Sequence, residues 1–379
     1  MTREELRKFA IKEIETNKYI ILEATTGLGK TKIAIDLINI ICDRVFYKEE
    51  RATNILIVVA KNAHKITWLE EIDKWGGLKS DNVIIECYES LKKYENRYFD
   101  VVVLDECQHL SEQRRDILKT ITINENCIGL SATIKKEMRE YFKNVYKASI
   151  LEYSLKEAVK NKILPKPTVY LFPLVLDNKN YKFKAQKFKK EVILTQKGYY
   201  DNISSYIEWA KDKFYHTRNE FVKNMWLSAA GNRLKWLAEQ KEFLIISLLK
   251  TFKNYRTITF CSTIEQSEKL GKNSITSHNK KALKILNDFN TKKIKHITAV
   301  NILNESVNLV DCRIGIFNII NSSEIMTKQK IGRLLRHQYP IIIIPYFKFT
   351  REEEIVNKII KEYMEGEVKI IHTKEEIEL

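Results

Sequence analysis

The chain has 379 residues, 44% of them hydrophobic, a length that exceeds one ordinary core and suits two or three domains of ~100 to 200 residues. Lys and Arg outnumber Asp and Glu by 65 to 49, a formal charge of +16 that favours a polyanionic partner. The six cysteines stand singly and the seven histidines form no H-E-x-x-H cluster, which excludes a disulfide scaffold and a structural or catalytic transition-metal site.

Thr2 to Lys8 reads as a charged helix without the apolar core of a signal peptide. The longest apolar runs, Phe243 to Leu249 and Ile341 to Ile344, fall far short of the ~20 residues that span a bilayer. A cytoplasmic protein, or a viral one acting in a host cytoplasm, is expected, with no membrane partner. Apolar runs at Tyr19 to Glu23, Ile55 to Ala60, Asn82 to Glu86, Val101 to Leu104 and Cys127 to Leu130 alternate with helical patterns. Such runs, hydrophobic throughout, predict an α/β domain with a parallel sheet over residues 1–150.

Residues 151–176 form a connector, with Leu164-Pro165-Lys166-Pro167 extended and Val169 to Leu176 the first strand of a second domain. Residues 177–254 read as a basic helical insertion, because Trp226, Leu234, Leu237 and Leu244 recur at helical spacing. Strands at Thr257 to Phe260, His296 to Val300, Arg313 to Ile320 and Ile341 to Tyr346 place a second α/β domain at 255–379, with Pro340 and Pro345 disturbing the last strand.

Four segments carry chemistry. Ala24-Thr25-Thr26-Gly27-Leu28-Gly29-Lys30-Thr31 follows a strand and opens a helix, the setting in which backbone N–H groups cradle phosphates. Thr26 to Thr31 would hold a nucleoside triphosphate, with Lys30 on its β and γ phosphates and Thr31 on Mg²⁺. Asp105 and Glu106 end an apolar strand, where Asp105 can reach the Mg²⁺ shell and Glu106 can polarise water. Ser131-Ala132-Thr133 follows another strand and is by itself an ordinary cap. Gln329, Arg333 and Arg336 fall on one helical stripe, usually a solvated feature, but with a phosphate loop upstream they read as arginine fingers.

In this order the segments resemble the superfamily 2 helicases, specifically DExH-type translocases that include phage recombination helicases and restriction-enzyme motor subunits. The resemblance implies two RecA-like parallel-sheet domains, ATP with Mg²⁺, and coupling through Gln108, Ser131 and Thr133. Weaker segments are similar to the family's strand-gripping motifs: Val58 to Trp68, Cys87 to Leu91, Thr259 to Gln266 and Leu303 to Leu309. They imply strand contacts at Lys61, Ser90, Ser262, Thr263 and Asn304. Gln108 stands where this group usually has His, and Ala10 where a glutamine often reads adenine, which leaves the choice among nucleoside triphosphates open.

The leading reading is a nucleic-acid-dependent ATPase, acting as a monomer, that translocates on a strand and unwinds or remodels duplexes by closure of its two domains. The residues do not choose between DNA and RNA, and the resemblance leans to DNA. A motor subunit of a restriction or defence complex and an ATP-gated clamp are the alternatives. Glu367-Val368-Lys369 resembles part of a nuclease motif but lacks an upstream Asp. The stretch Lys179 to Lys197 holds seven lysines interleaved with Tyr181, Phe183 and Phe188. It reads equally as a nucleic-acid surface or as a solvated amphipathic helix. The whole 177–254 insertion also offers a place for a protein partner.

Overall fold

Runs of Ile, Val and Leu buried on both faces and separated by helices build two parallel sheets. The computed structural model describes residues 2–187, 190–300, 309–319, 330–363 and 367–378. The chain divides into two units, the first holding residues 2–165 together with 330–335. In chain order this unit contains α1 (Arg3–Thr16), β1 (Tyr19–Ala24), α2 (Lys30–Glu49), β2 (Ile55–Val59), α3 (Asn62–Lys74), β3 (Val83–Cys87) and β4 (Tyr98–Asp105). It continues through α4 (Glu112–Thr120), β5 (Thr122–Ser131), α5 (Lys136–Tyr146), β6 (Ser149–Tyr153) and α6 (Leu155–Lys160). The strands lie in the order β3-β2-β4-β5-β1-β6, every neighbouring pair parallel. α1 starts at a capping box in which the Thr2 hydroxyl accepts from Glu5 N at 3.1 Å and Thr2 N donates to Glu5 Oε2 at 2.7 Å.

The second unit holds β7 (Thr168–Leu174), β8 (Tyr181–Lys187), β9 (Lys190–Thr195), α7 (Gln196–Thr217), α8 (Glu220–Gln240), α9 (Glu242–Thr251), β10 (Thr257–Phe260) and α10 (Ile264–Leu270). It ends with β11 (Ser274–Ile275), α11 (Ala282–Asn290), β12 (His296–Ala299), β13 (Ile314–Phe317), β14 (Ile341–Phe347), α12 (Arg351–Tyr363) and β15 (Glu367–Ile370). Its sheet runs β11-β12-β10-β13-β14-β7-β15, again wholly parallel. Pro345 fits inside β14 because the ladder with β13 stops at Ile343, so no strand on that side asks for its missing N–H. Glu367-Val368-Lys369 is an edge strand paired with β7.

The insertion departs from its helical expectation at one end. β8 and β9 form an antiparallel ribbon where Lys179 to Lys197 had an amphipathic helix as one reading. The period is two: Phe183 pairs with Leu194 and Ala185 with Val192 on the inner face, an alternation that suits a pleat. α7 and α8 follow as the predicted helical pair.

A buried ion pair ties the insertion to its sheet. Lys241, at the α8–α9 junction, puts Nζ 2.5 Å from Glu352 Oε1 and donates to the Pro345 carbonyl at 3.1 Å, both side chains being fully buried. Glu352 Oε2 accepts from Phe347 N at 3.1 Å, and burial holds the Lys241 ammonium below its ordinary pKa. Removing one partner of such a pair strands the other charge and costs ~3 to 5 kcal/mol, whereas replacing both with apolar groups is often neutral. Lys241→Met should therefore lower the chemical-denaturation midpoint of the full chain sharply. Adding Glu352→Leu should recover most of the loss.

Candidate functional site

The candidate site is built where parallel strands of the first unit end, the edge at which open α/β sheets take their ligands. β1 ends at Ala24, and the chain turns through Thr25 to Gly29 before α2 begins at Lys30. Gly27 and Gly29 take φ of +92° and +84°, a conformation that glycine alone adopts freely. Nothing lies within 4 Å of where a Cβ would stand on Gly29, so the N-terminus of α2 presents its N–H groups where the helix dipole favours an anion. Arg3 Nη2 donates to the Gly27 carbonyl at 3.1 Å and Leu28 is buried, which braces the loop. Lys30 Nζ donates to the Ala24 carbonyl at 2.8 Å, inside the turn. The Thr25 hydroxyl is buried without a hydrogen-bond partner, a donor that a phosphate oxygen would satisfy.

Asp105 closes β4. Trp68 Nε1 donates to Asp105 Oδ2 at 2.9 Å, and the Tyr88 hydroxyl donates to the Asp105 carbonyl at 3.1 Å. Burial and the neighbouring Glu106 raise the Asp105 pKa to about 6, while the Trp68 hydrogen bond and the Lys30 charge pull it down. Glu106 sits at φ +50°, a left-handed position uncommon outside glycine. Gln108 Nε2 donates to Glu106 Oε2 at 2.6 Å, and Ser131 Oγ lies 2.6 Å from Gln108 Oε1. The same hydroxyl lies 2.9 Å from the Thr133 carbonyl and accepts from Thr133 N at 3.1 Å. With one proton, it serves either Gln108 or Thr133 at a time.

Residues 330–334 form a helical turn that groups with this unit. A Cβ on Gly332 would stand 3.0 Å from Thr26 Cβ and 3.2 Å from its carbonyl oxygen, so the glycine permits the backbone to touch the phosphate loop. Arg333 is buried at 5% exposure, whereas Arg336, after the helical turn, is exposed. The two arginines of the predicted stripe thus occupy different environments, and Gln329 lies outside the described residues.

Residues 2–136 match the family "Type III restriction enzyme, res subunit", and residues 240–338 match "Helicase conserved C-terminal domain". The chain belongs to the superfamily 2 helicases. Solved structures share the fold of this helicase at low identity. The fragment of a putative HsdR subunit of a type I restriction enzyme from Vibrio vulnificus is 16% identical with a TM-score of 0.62, covering 98% of this chain and 68% of that one. Dbp5 of S. cerevisiae, bound to RNA and ADP BeF3, is 13% identical with a TM-score of 0.58, covering 98% and 90%. The Hef helicase domain of Pyrococcus furiosus is 13% identical with a TM-score of 0.54, covering 93% and 97%. No curated protein sequence matches the helicase.

Four of the remaining predicted positions follow strands. Lys61 is exposed after β2 and Ser90 is half-buried after β3. Ser262 and Thr263 follow β10 in the second unit, where the Ser262 hydroxyl donates to Gln266 Oε1 at 2.9 Å and Thr263 Oγ1 caps α10 by accepting from Gln266 N at 3.1 Å. Asn304 lies outside the described residues. Ala10 is fully buried on α1. Sequence reasoning missed Trp68, Tyr88 and Gly332. A glycine inside a helical pattern was the one signal that pointed to Gly332.

Since Asp105 titrates in the folded helicase at about 6, above an ordinary carboxyl near ~4, its neutral form favours the fold. That contribution is complete below the ordinary pKa and is lost as pH rises through 6. In the absence of nucleotide, the Asp105 contribution should lower the melting temperature as pH rises from about 4 to about 6.5, and Asp105→Asn should remove that component of the pH dependence. A melting curve series across that pH range checks it.

Proposed function

We propose that this helicase hydrolyses ATP when bound to nucleic acid, and that hydrolysis drives translocation with unwinding or remodelling of DNA. The observation that carries this reading is the grouping in one unit of the phosphate loop, the Asp105–Glu106 pair and the helical turn that bears Arg333. Lys30 and the loop from Thr26 to Thr31 would hold the triphosphate. Thr31 and Asp105 would hold Mg²⁺, which commonly takes one or two protein oxygens and completes its shell with phosphates and water. Bound Mg²⁺ would neutralise charge on the transferring phosphoryl group.

Glu106 would take a proton from water, with Gln108 fixing its carboxylate. Through Ser131 and Thr133, Gln108 would tie that position to the next strand end. Arg333 and Arg336, with Gln329, would stabilise the charge that develops on phosphoryl transfer. Lys61, Ser90, Ser262, Thr263 and Asn304 would contact the strand. A second reading, a motor subunit in a restriction complex, is favoured by the family match over residues 2–136 and by the likeness to the HsdR fragment.

Titrating ATP hydrolysis with single-stranded DNA, duplex DNA, branched DNA and RNA at fixed salt tests the reading. Stimulation by DNA is expected, and a rate unchanged at saturating polynucleotide removes the motor. Lys30→Ala and Glu106→Gln should abolish turnover, with Glu106→Gln still binding ATP. Arg333→Ala should cut the stimulated rate by about 10³-fold or more.

A further inference from the structure

The lysine-rich ribbon β8–β9 has no part in the site above, and its geometry separates two uses that the sequence leaves open. Phe183 turns inward, its ring centroid 5.5 Å from those of both Tyr199 and Trp236, which are themselves 5.0 Å apart. Phe183 is thereby committed to packing against α7 and α8. On the outer face stand Lys182, Lys184 and Ile193, with Tyr181 at 70% exposure. Lys179, Lys182 and Lys184 are all exposed. Only Lys184 is in an ion pair, 2.9 Å from Glu191, and no described carboxylate is in ion-pair contact with Lys179 or Lys182. Such a face presents lysines to phosphates, with the exposed Tyr181 ring beside them.

We propose that the outer face of this ribbon is a second nucleic-acid contact, which grips the sugar-phosphate backbone of a duplex. The inference rests on the reading that the protein acts on nucleic acid, and it adds a site outside the strand-end positions. A two-stranded ribbon is narrow enough for the major groove, and lysines placed along it neutralise phosphates without reading sequence. The ribbon follows the C-terminal end of β7, at the same edge of the parallel sheet from which Ser262 and Thr263 are presented. A duplex held there lies on the side of this unit where strand contacts are expected.

The test uses the full chain with Lys179, Lys182 and Lys184 all changed to Gln, a matching triple Arg variant, and wild type. Binding to a labelled duplex and to a single strand of equal length is followed by anisotropy across a salt series. For the Gln variant, duplex affinity should fall by roughly tenfold at moderate salt. The slope of log affinity against log salt should become shallower by about 2 to 3, at ~0.9 per lost phosphate contact. Single-strand affinity should change less, the Arg variant should bind as wild type, and ATP hydrolysis without polynucleotide should be unaltered. Unchanged duplex affinity and slope, a loss confined to the single strand, or an equal loss in the Arg variant would overturn the ribbon site. If wild type neither binds nor is stimulated by any polynucleotide, the proposed function itself fails.

Discussion

Asp105 ends a strand whose preceding residues, Val101 to Leu104, are entirely buried, so its carboxylate enters a region of low dielectric directly beside a second acid. An isolated ionised carboxylate is costly there, and the structure offsets that cost by placing the Trp68 indole N–H and the Lys30 charge against it. The balance leaves its pKa at about 6, so the acid is mostly ionised at neutral pH but takes up a proton far more readily than an ordinary carboxylate. A divalent cation bound beside it would favour the ionised form further, because its charge acts far more strongly than an indole N–H does. On the function proposed, a cation and a triphosphate bound here would each favour the binding of the other, with Asp105 as the group that links them.

The chain Glu106–Gln108–Ser131 follows from the same strand ends. β4 and β5 are neighbours in the sheet, so residues just past their ends meet. An amide at position 108 has a donor for Glu106 and an acceptor for Ser131, and both are used. A histidine usually stands here in the group that the sequence resembles. One neutral ring nitrogen donates and the other accepts, so it has the same two functions in a different shape. The Ser131 proton is shared in alternation between Gln108 and Thr133, and a change at either end alters what the other end is offered.

Long apolar strands were readable because burial on both faces leaves an unbroken hydrophobic run: β2, β4, β7, β10 and β14 all fall on predicted strands. β6 and β11 were missed, since Ser149–Tyr153 mixes polar residues at the sheet edge and Ser274–Ile275 is too short for any period to register. The ribbon was open to a helical reading because its lysines hide the alternation of Phe183 and Ala185 with polar neighbours. Within the site, the phosphate loop and the acid pair are local motifs and were legible. Trp68 and Gly332 act through contacts made far along the chain, and spacing does not reveal the partners of those contacts.

The insertion bears on function only if force or position at its outer end reaches the sheet, and the packing supplies that connection. Phe183 locks the ribbon to Tyr199 on α7 and Trp236 on α8, and Leu237, one residue on, joins Leu176, Tyr200 and Phe347 in a buried cluster. Phe347 ends β14, and its N–H is held by Glu352, the partner of Lys241. An apolar cluster alone would tolerate sliding of one helix turn past another, because dispersion and burial have little directional demand. A buried charge pair does not tolerate it, since any register other than the native one strands both ions in an apolar core. The ion pair therefore fixes the register of the insertion on its sheet, and the lysines of the ribbon keep a defined place relative to the strand ends beside them.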